Sequence, residues 1–122
     1  MKVIRNENLV MVDVDETLVI WGKIKKGQKA VKVIDPYDGK ELVLRPHIGH
    51  IKVLKDRKIR GSHIVVWSAG GYKWAEAVVK ALHLEDYVDI IASKPIMYID
   101  DKEAVDILGE RLYLGIDSTY GT

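Results

Sequence analysis

The chain has 122 residues, 48% of them apolar and 30% charged, with a formal net charge of +1. That length holds one domain (residues 1–122) with a real core and leaves no room for two, and the near-neutral balance excludes a strong global pull toward nucleic acid or an anionic membrane. With no cysteine in the chain, disulfides, thiolate metal sites and cysteine nucleophiles are excluded.

The opening MKVIRNENLV interrupts its apolar residues with charge, unlike the continuous core of a signal peptide. No apolar run approaches a membrane span. A soluble cytoplasmic protein is the expectation. Leu9 to Val14 reads as a first strand, apolar on both faces like a central parallel strand. It runs into Asp13 and Asp15, which share one face of an extended chain because residues i and i+2 point the same way. Like charges that close repel unless a cation sits beside them. Such a pair at a strand end suits Mg²⁺, a hard ion that prefers oxygen and keeps several waters. The bland alternative is a strand ending in a solvated polar turn.

After Leu18 to Trp21 comes a lysine-rich stretch. Lys29 to Ile34, the turn PYDGK and Glu41 to Leu44 then predict a β-hairpin. A helix is predicted from Pro46, with Ile48, Ile51 and Leu54 inward and Gly61 after its basic end. His63 to Trp67 predicts a second buried strand, ending in Ser68 and the Gly70–Gly71 pair. Tyr72 to Leu82 predicts a helix with Trp74, Ala77, Val78 and Ala81 as its apolar stripe. Strands follow at Asp89 to Ala92, before Lys94, and at Ile96 to Ile99, before Asp100 and Asp101. A helix near Lys102 to Leu108 and a strand at Arg111 to Ile116 complete the prediction. Alternating strands and helices imply a three-layer α/β fold with a mainly parallel sheet, whose site lies at the carboxyl ends of the strands.

Four segments, VDVDETL, IVVWSAGG, SKP and MYIDD, stand in order with strand–helix spacing between them. In this the chain resembles the haloacid dehalogenase superfamily of phosphohydrolases, whose motifs are DxDx[TV] after an apolar strand, a strand ending in Ser or Thr, a lysine, and a strand ending in acidic residues. Any one of them alone is unspecific. The resemblance spans Leu9 to Leu108 and implies a Rossmann-like fold of that superfamily. With only a hairpin and a helix in the first gap, and a helix in the second, it implies a capless member with a small hairpin flap.

The resemblance implies that Asp13 is the nucleophile of an aspartyl-phosphate mechanism. Asp15 becomes the general acid and then base, and also lends its backbone carbonyl to Mg²⁺. Ser68 with the amides of Ala69 and Gly70 would bind the transferring phosphoryl group, and Lys94 would add fixed positive charge there and hold the nucleophile's geometry. Asp100 is the implied direct Mg²⁺ ligand. Asp101 acts through water or pairs with Lys94, and the sequence leaves both open. Thr17 is read as ordering the turn, and Ser68 doubles as a helix N-cap in the structural alternative.

His47, His50, His63 and His83 lack metal spacing and read as helix-surface or loop residues. Trp21 and Trp74 read as packing groups, with Trp21 also placed to line the site mouth. The lysines at 23, 25, 26, 29 and 32 read as a solvated hairpin face. The function implied is a Mg²⁺-dependent phosphomonoesterase, monomeric or a small homo-oligomer, acting on a phosphopeptide, a nucleic acid end or a small phosphate ester. The run DVDETLV looks like small capless phosphatases of phosphoserine in RNA polymerase tails, and the basic flap looks like the phosphatase domains of polynucleotide end-healing enzymes. A nucleotide or sugar phosphate phosphatase, or an inactive phosphate- or partner-binding module, is the alternative.

Overall fold

The computed structural model describes residues 8–122. The opening heptapeptide, part of the stretch read as unlike a leader, lies outside the described residues. Nine elements follow: β1 Leu9–Asp13, β2 Val19–Ile20, β3 Val31–Ile34, β4 Glu41–Pro46, α1 Ile48–Ile59, β5 His63–Ser68, α2 Tyr72–Ala81, β6 Ile90–Ser93 and a short α3 Ala104–Ile107. A 3-10 turn at Glu85–Tyr87 precedes β6. No helix among the described residues is long and apolar enough to cross a membrane.

The chain is a mixed α/β protein with a parallel three-stranded sheet in the order β1-β5-β6. A second sheet, antiparallel and ordered β2-β4-β3, contains the expected hairpin. Its turn is closed by Asp35 N–H to the Lys40 carbonyl at 2.8 Å and Gly39 N–H to the Asp35 carbonyl at 2.8 Å. The hairpin is no loose flap. β4 pairs with β2 on its other edge, and Val33 and Leu44 are buried in the same apolar cluster as Val66 of β5 and Val78 of α2.

β5 is the central strand. Ile64, Val65 and Val66 are buried in succession, which requires cover on both faces. β1 is instead an edge strand, with Leu9 and Met11 exposed and Val10 and Val12 half-buried. This corrects the expectation of a central first strand: among the described residues β1 is paired on one edge only. Ile96 to Ile99 forms no strand and no ladder; Ile96 and Ile99 are fully exposed. The side chains near its end bond the backbone that follows, with Lys102 N–H to Asp100 Oδ1 at 2.9 Å and Ala104 N–H to the Tyr98 hydroxyl at 3.3 Å.

Arg111 to Ile116 likewise forms no strand. Its polar groups are taken by side chains: Leu114 N–H donates to His50 Nε2 at 2.9 Å, Gly115 carbonyl lies 2.7 Å from His47 Nε2, and Arg45 Nη2 donates to the Ile116 carbonyl at 3.1 Å. The C-terminal stretch is a strap across the start of α1.

α1 begins at Ile48, two residues later than predicted, because Pro46 closes β4. His47 is the N-cap; its Nδ1 accepts the His50 N–H at 3.0 Å. The helix ends where Gly61, at φ +99°, donates to the Lys58 carbonyl at 3.0 Å and Ser62 donates to the Arg57 carbonyl at 2.9 Å, satisfying the last orphan carbonyls. α2 buries Trp74, Ala75, Val78 and Val79, a stripe shifted from the predicted one, with Ala77 and Ala81 half-buried at its edge.

Candidate active site

β1, β5 and β6 run parallel, so Asp13, Ser68 and Ser93 end three neighbouring strands on one side of the sheet. Lys94 follows directly, its N–H bonded to the Ser68 carbonyl at 2.9 Å. This register carries Lys94 Nζ to 3.1 Å from Asp13 Oδ1. Thr17 Oγ1 donates to Asp13 Oδ2 at 3.0 Å, so each oxygen of the carboxylate has its own partner. The lysine and the carboxylate are both about one-third exposed, at 37% and 34%. Open to solvent, the pair contributes little to stability and is better read as an arrangement of charge.

The loop after Asp13 is tightly wound. The Val14 carbonyl accepts Leu18 N–H at 2.8 Å, and Glu16 sits at φ +61°, a conformation uncommon outside glycine and asparagine. His50 Nδ1 lies 2.8 Å from the Thr17 carbonyl, and Tyr113 Oη donates to the Glu16 carbonyl at 2.8 Å. Helix α1 and the C-terminal strap thus brace the loop from outside.

Asp15, next along this loop, is held by two indoles. Its Oδ1 accepts Trp21 Nε1–H at 2.7 Å and Trp74 Nε1–H at 3.0 Å. Its Oδ2 lies 3.5 Å from Ser68 Oγ, which in turn accepts Gly70 N–H at 3.0 Å. Ser68 itself is fully buried, while Ala69 and Gly70 are exposed at the loop. A cleft of about 320 Å³ opens beside Asp15, lined by Trp21, Asp35, Tyr37, Gly70 and Trp74.

Of the residues singled out in the sequence, Asp13, Asp15, Ser68 and Lys94 come together. Asp100 and Asp101 do not join them. Both are exposed on the irregular segment after residue 95, and no group of three or more His, Cys, Asp or Glu side chains suited to a metal occurs among the described residues. Lys94 pairs with Asp13 instead of Asp101. Ser68 is not the cap of α2: Gly71 holds that position at φ +98°, and Ser93 Oγ accepts Tyr72 N–H at 2.8 Å. A Cβ on Gly71 would collide with the Tyr37 hydroxyl, so the hairpin turn lies directly over this loop.

Sequence reading missed the roles of two pairs. Trp21 and Trp74 do more than pack, and a buried indole's need for an acceptor was the available signal for Trp74. His47 and His50 are buried and stacked at 3.9 Å between ring centroids, not surface residues. Because Leu114 N–H donates to His50 Nε2, the proton of that ring is on Nδ1 and goes to the Thr17 carbonyl. Burial lowers the His50 pKa, with the Thr17 bond opposing and His47 reinforcing the shift.

In comparisons with known proteins, no family model matches the chain, and no curated protein or solved structure matches it.

Proposed function

We propose that the protein is a Mg²⁺-dependent phosphomonoesterase that works through an aspartyl-phosphate on Asp13. The observation that carries this reading is the ion pair of Lys94 with Asp13 at 3.1 Å, beside Asp15 and Ser68, at the carboxyl ends of three parallel strands. Lys94 and Thr17 each hold one oxygen of Asp13 and so aim the carboxylate. An Asp13 oxygen attacks phosphorus as the ester P–O bond breaks, and the leaving oxygen takes a proton from Asp15. In the second half a water attacks phosphorus and returns its proton to Asp15, so phosphate leaves and Asp13 is restored. Lys94 Nζ stabilises the phosphoryl oxygens, with the Ala69 N–H of the loop after β5 beside it.

The oxygen donors at Asp13 and Asp15 fit a hard cation such as Mg²⁺. Asp100 and Asp101, the further ligands implied by the resemblance, are not gathered with them. When bound, the ion supplies charge neutralisation at the phosphoryl oxygens. The open site suits a phosphate on a bulky carrier, such as a phosphoprotein or a nucleic acid end.

The test is hydrolysis of phenyl phosphate by wild type and Asp13→Asn, with Mg²⁺ and with EDTA. Metal-dependent turnover lost in the variant is expected. Turnover retained by Asp13→Asn would sink the covalent mechanism, and turnover unaffected by EDTA would remove Mg²⁺ from it.

A further inference from the structure

We propose that Trp21 and Trp74 are positioning residues that decide which oxygen of Asp15 handles the proton, an inference that rests on the phosphatase reading above. Indole N–H is a donor only. Oδ1 accepts two such donors, at 2.7 and 3.0 Å, one for each of the two lone pairs of that oxygen. With both engaged, Oδ1 has no acceptor capacity left for a proton. Oδ2 is therefore the atom that gives and takes it, and Oδ2 is the oxygen turned toward Ser68 Oγ and the phosphoryl loop.

The two donors come from separate parts of the fold, which is what a fixed orientation requires. Trp74 stands in the first turn of α2, only 5% exposed, with its ring against Gly70: a Cβ there would sit 3.2 Å from Trp74 Cδ1. Trp21 follows β2 at the cleft mouth, 45% exposed, its backbone N–H donating to Glu16 Oε1 at 3.1 Å. The two rings lie 5.9 Å apart at 39°. Without them a half-exposed aspartate side chain would rotate freely about its terminal torsion, which is broad and two-fold. The clamp keeps Oδ2 facing the bond to be broken, and orientation of this kind is a large part of catalysis.

The step at issue is proton transfer from Oδ2 to the leaving oxygen as the P–O bond breaks, and it matters only when the leaving group needs a proton. The experiment compares kcat/KM on phenyl phosphate and on dinitrophenyl phosphate for wild type, Trp21→Phe, Trp74→Phe and the double variant. Dinitrophenolate departs without protonation; phenolate does not. The expected result is a loss on phenyl phosphate exceeding the loss on dinitrophenyl phosphate by about tenfold or more in the double variant, within the range general acid catalysis supplies. Trp21→Phe, at an exposed position, gives the same sign of selectivity without touching the core. Equal losses on both esters, or no loss on phenyl phosphate, would overturn the inference while leaving the phosphatase reading in place. Wild type inert toward both esters would bring down that reading and the inference together.

Discussion

Lys94 and Asp13 face each other at 3.1 Å across the ends of β6 and β1, with β5 between those strands. A charge pair held between two non-adjacent strands depends on the whole sheet. Its partners are too exposed for the contact to matter much to folding. Lys94→Met therefore leaves the melting temperature nearly unchanged and lowers kcat on phenyl phosphate by about 10²–10³, the usual cost of one preorganised electrostatic group. A variant of normal stability and normal kcat would show that Lys94 is surface charge and nothing more.

What made this pair legible in the sequence was the motif order of the resemblance, set on a pattern of apolar runs. LVMVD, HIVVWS and IIAS are rich in β-branched residues, and each reads as a strand with its polar group at the far end. Strand composition then misled at PIMYIDD. A ladder needs a partner, and none of the described strands pairs with this segment. Asp100 and Asp101 therefore follow an irregular, exposed segment in place of a strand end.

Other parts were hidden for a different reason. His47 and His50 are three residues apart on a helix start, a spacing that reads as surface until the strap over 111–117 covers it. Contacts separated by 64 to 71 residues, such as His50 with Leu114 and Arg45 with Ile116, leave no local trace. The indole clamp on Asp15 joins residues 15, 21 and 74, and only burial of Trp74 hints at it.

The neutral His50 ring makes stability depend on pH. Burial, opposed by the Thr17 bond and helped by His47, sets its folded pKa below the ordinary value of 6.5. Between those values the unfolded chain binds the proton and the folded one does not, so stability falls as pH drops. The contribution is complete above pH 6.5 and is lost on acidification through the window below it. Urea midpoints of wild type at about pH 7.5 and 5.5 should differ by more than those of His50→Gln, which cannot titrate. Equal pH sensitivity of the two proteins would refute this role.

Gly49 sets the closeness of the strap. A Cβ there would lie 3.0 Å from Leu114 Cδ1, 3.0 Å from the Tyr120 carbonyl oxygen and 3.3 Å from His47 Cε1. In a free helix Gly→Ala gains about 1 kcal/mol. Here three close contacts, one of them backbone, must give way, and overpacking costs about 1–3 kcal/mol. Gly49→Ala is expected to destabilise by urea denaturation; a net gain would mean that the strap moves aside without cost.

Asp89 links β5, β6 and α1. It receives Ile64 N–H at 2.7 Å and Lys58 Nζ at 2.6 Å, with His63 Nδ1 at 3.7 Å. Burial acts to raise its pKa, but the Ile64 bond, the Lys58 ammonium and His63 outweigh it and hold the pKa below 3.8. The stability it provides is complete above pH 3.8 and is lost as pH falls through the lower folded value. Asp89→Ala leaves the Ile64 amide without this acceptor and is expected to cost about 1–3 kcal/mol. Asp89→Asn keeps an acceptor and loses only the charge, so it costs less at neutral pH. Both variants should show a flatter fall in urea midpoint below pH 3.8 than wild type. The same acid sensitivity in all three proteins would place the acid-labile contact elsewhere in the fold.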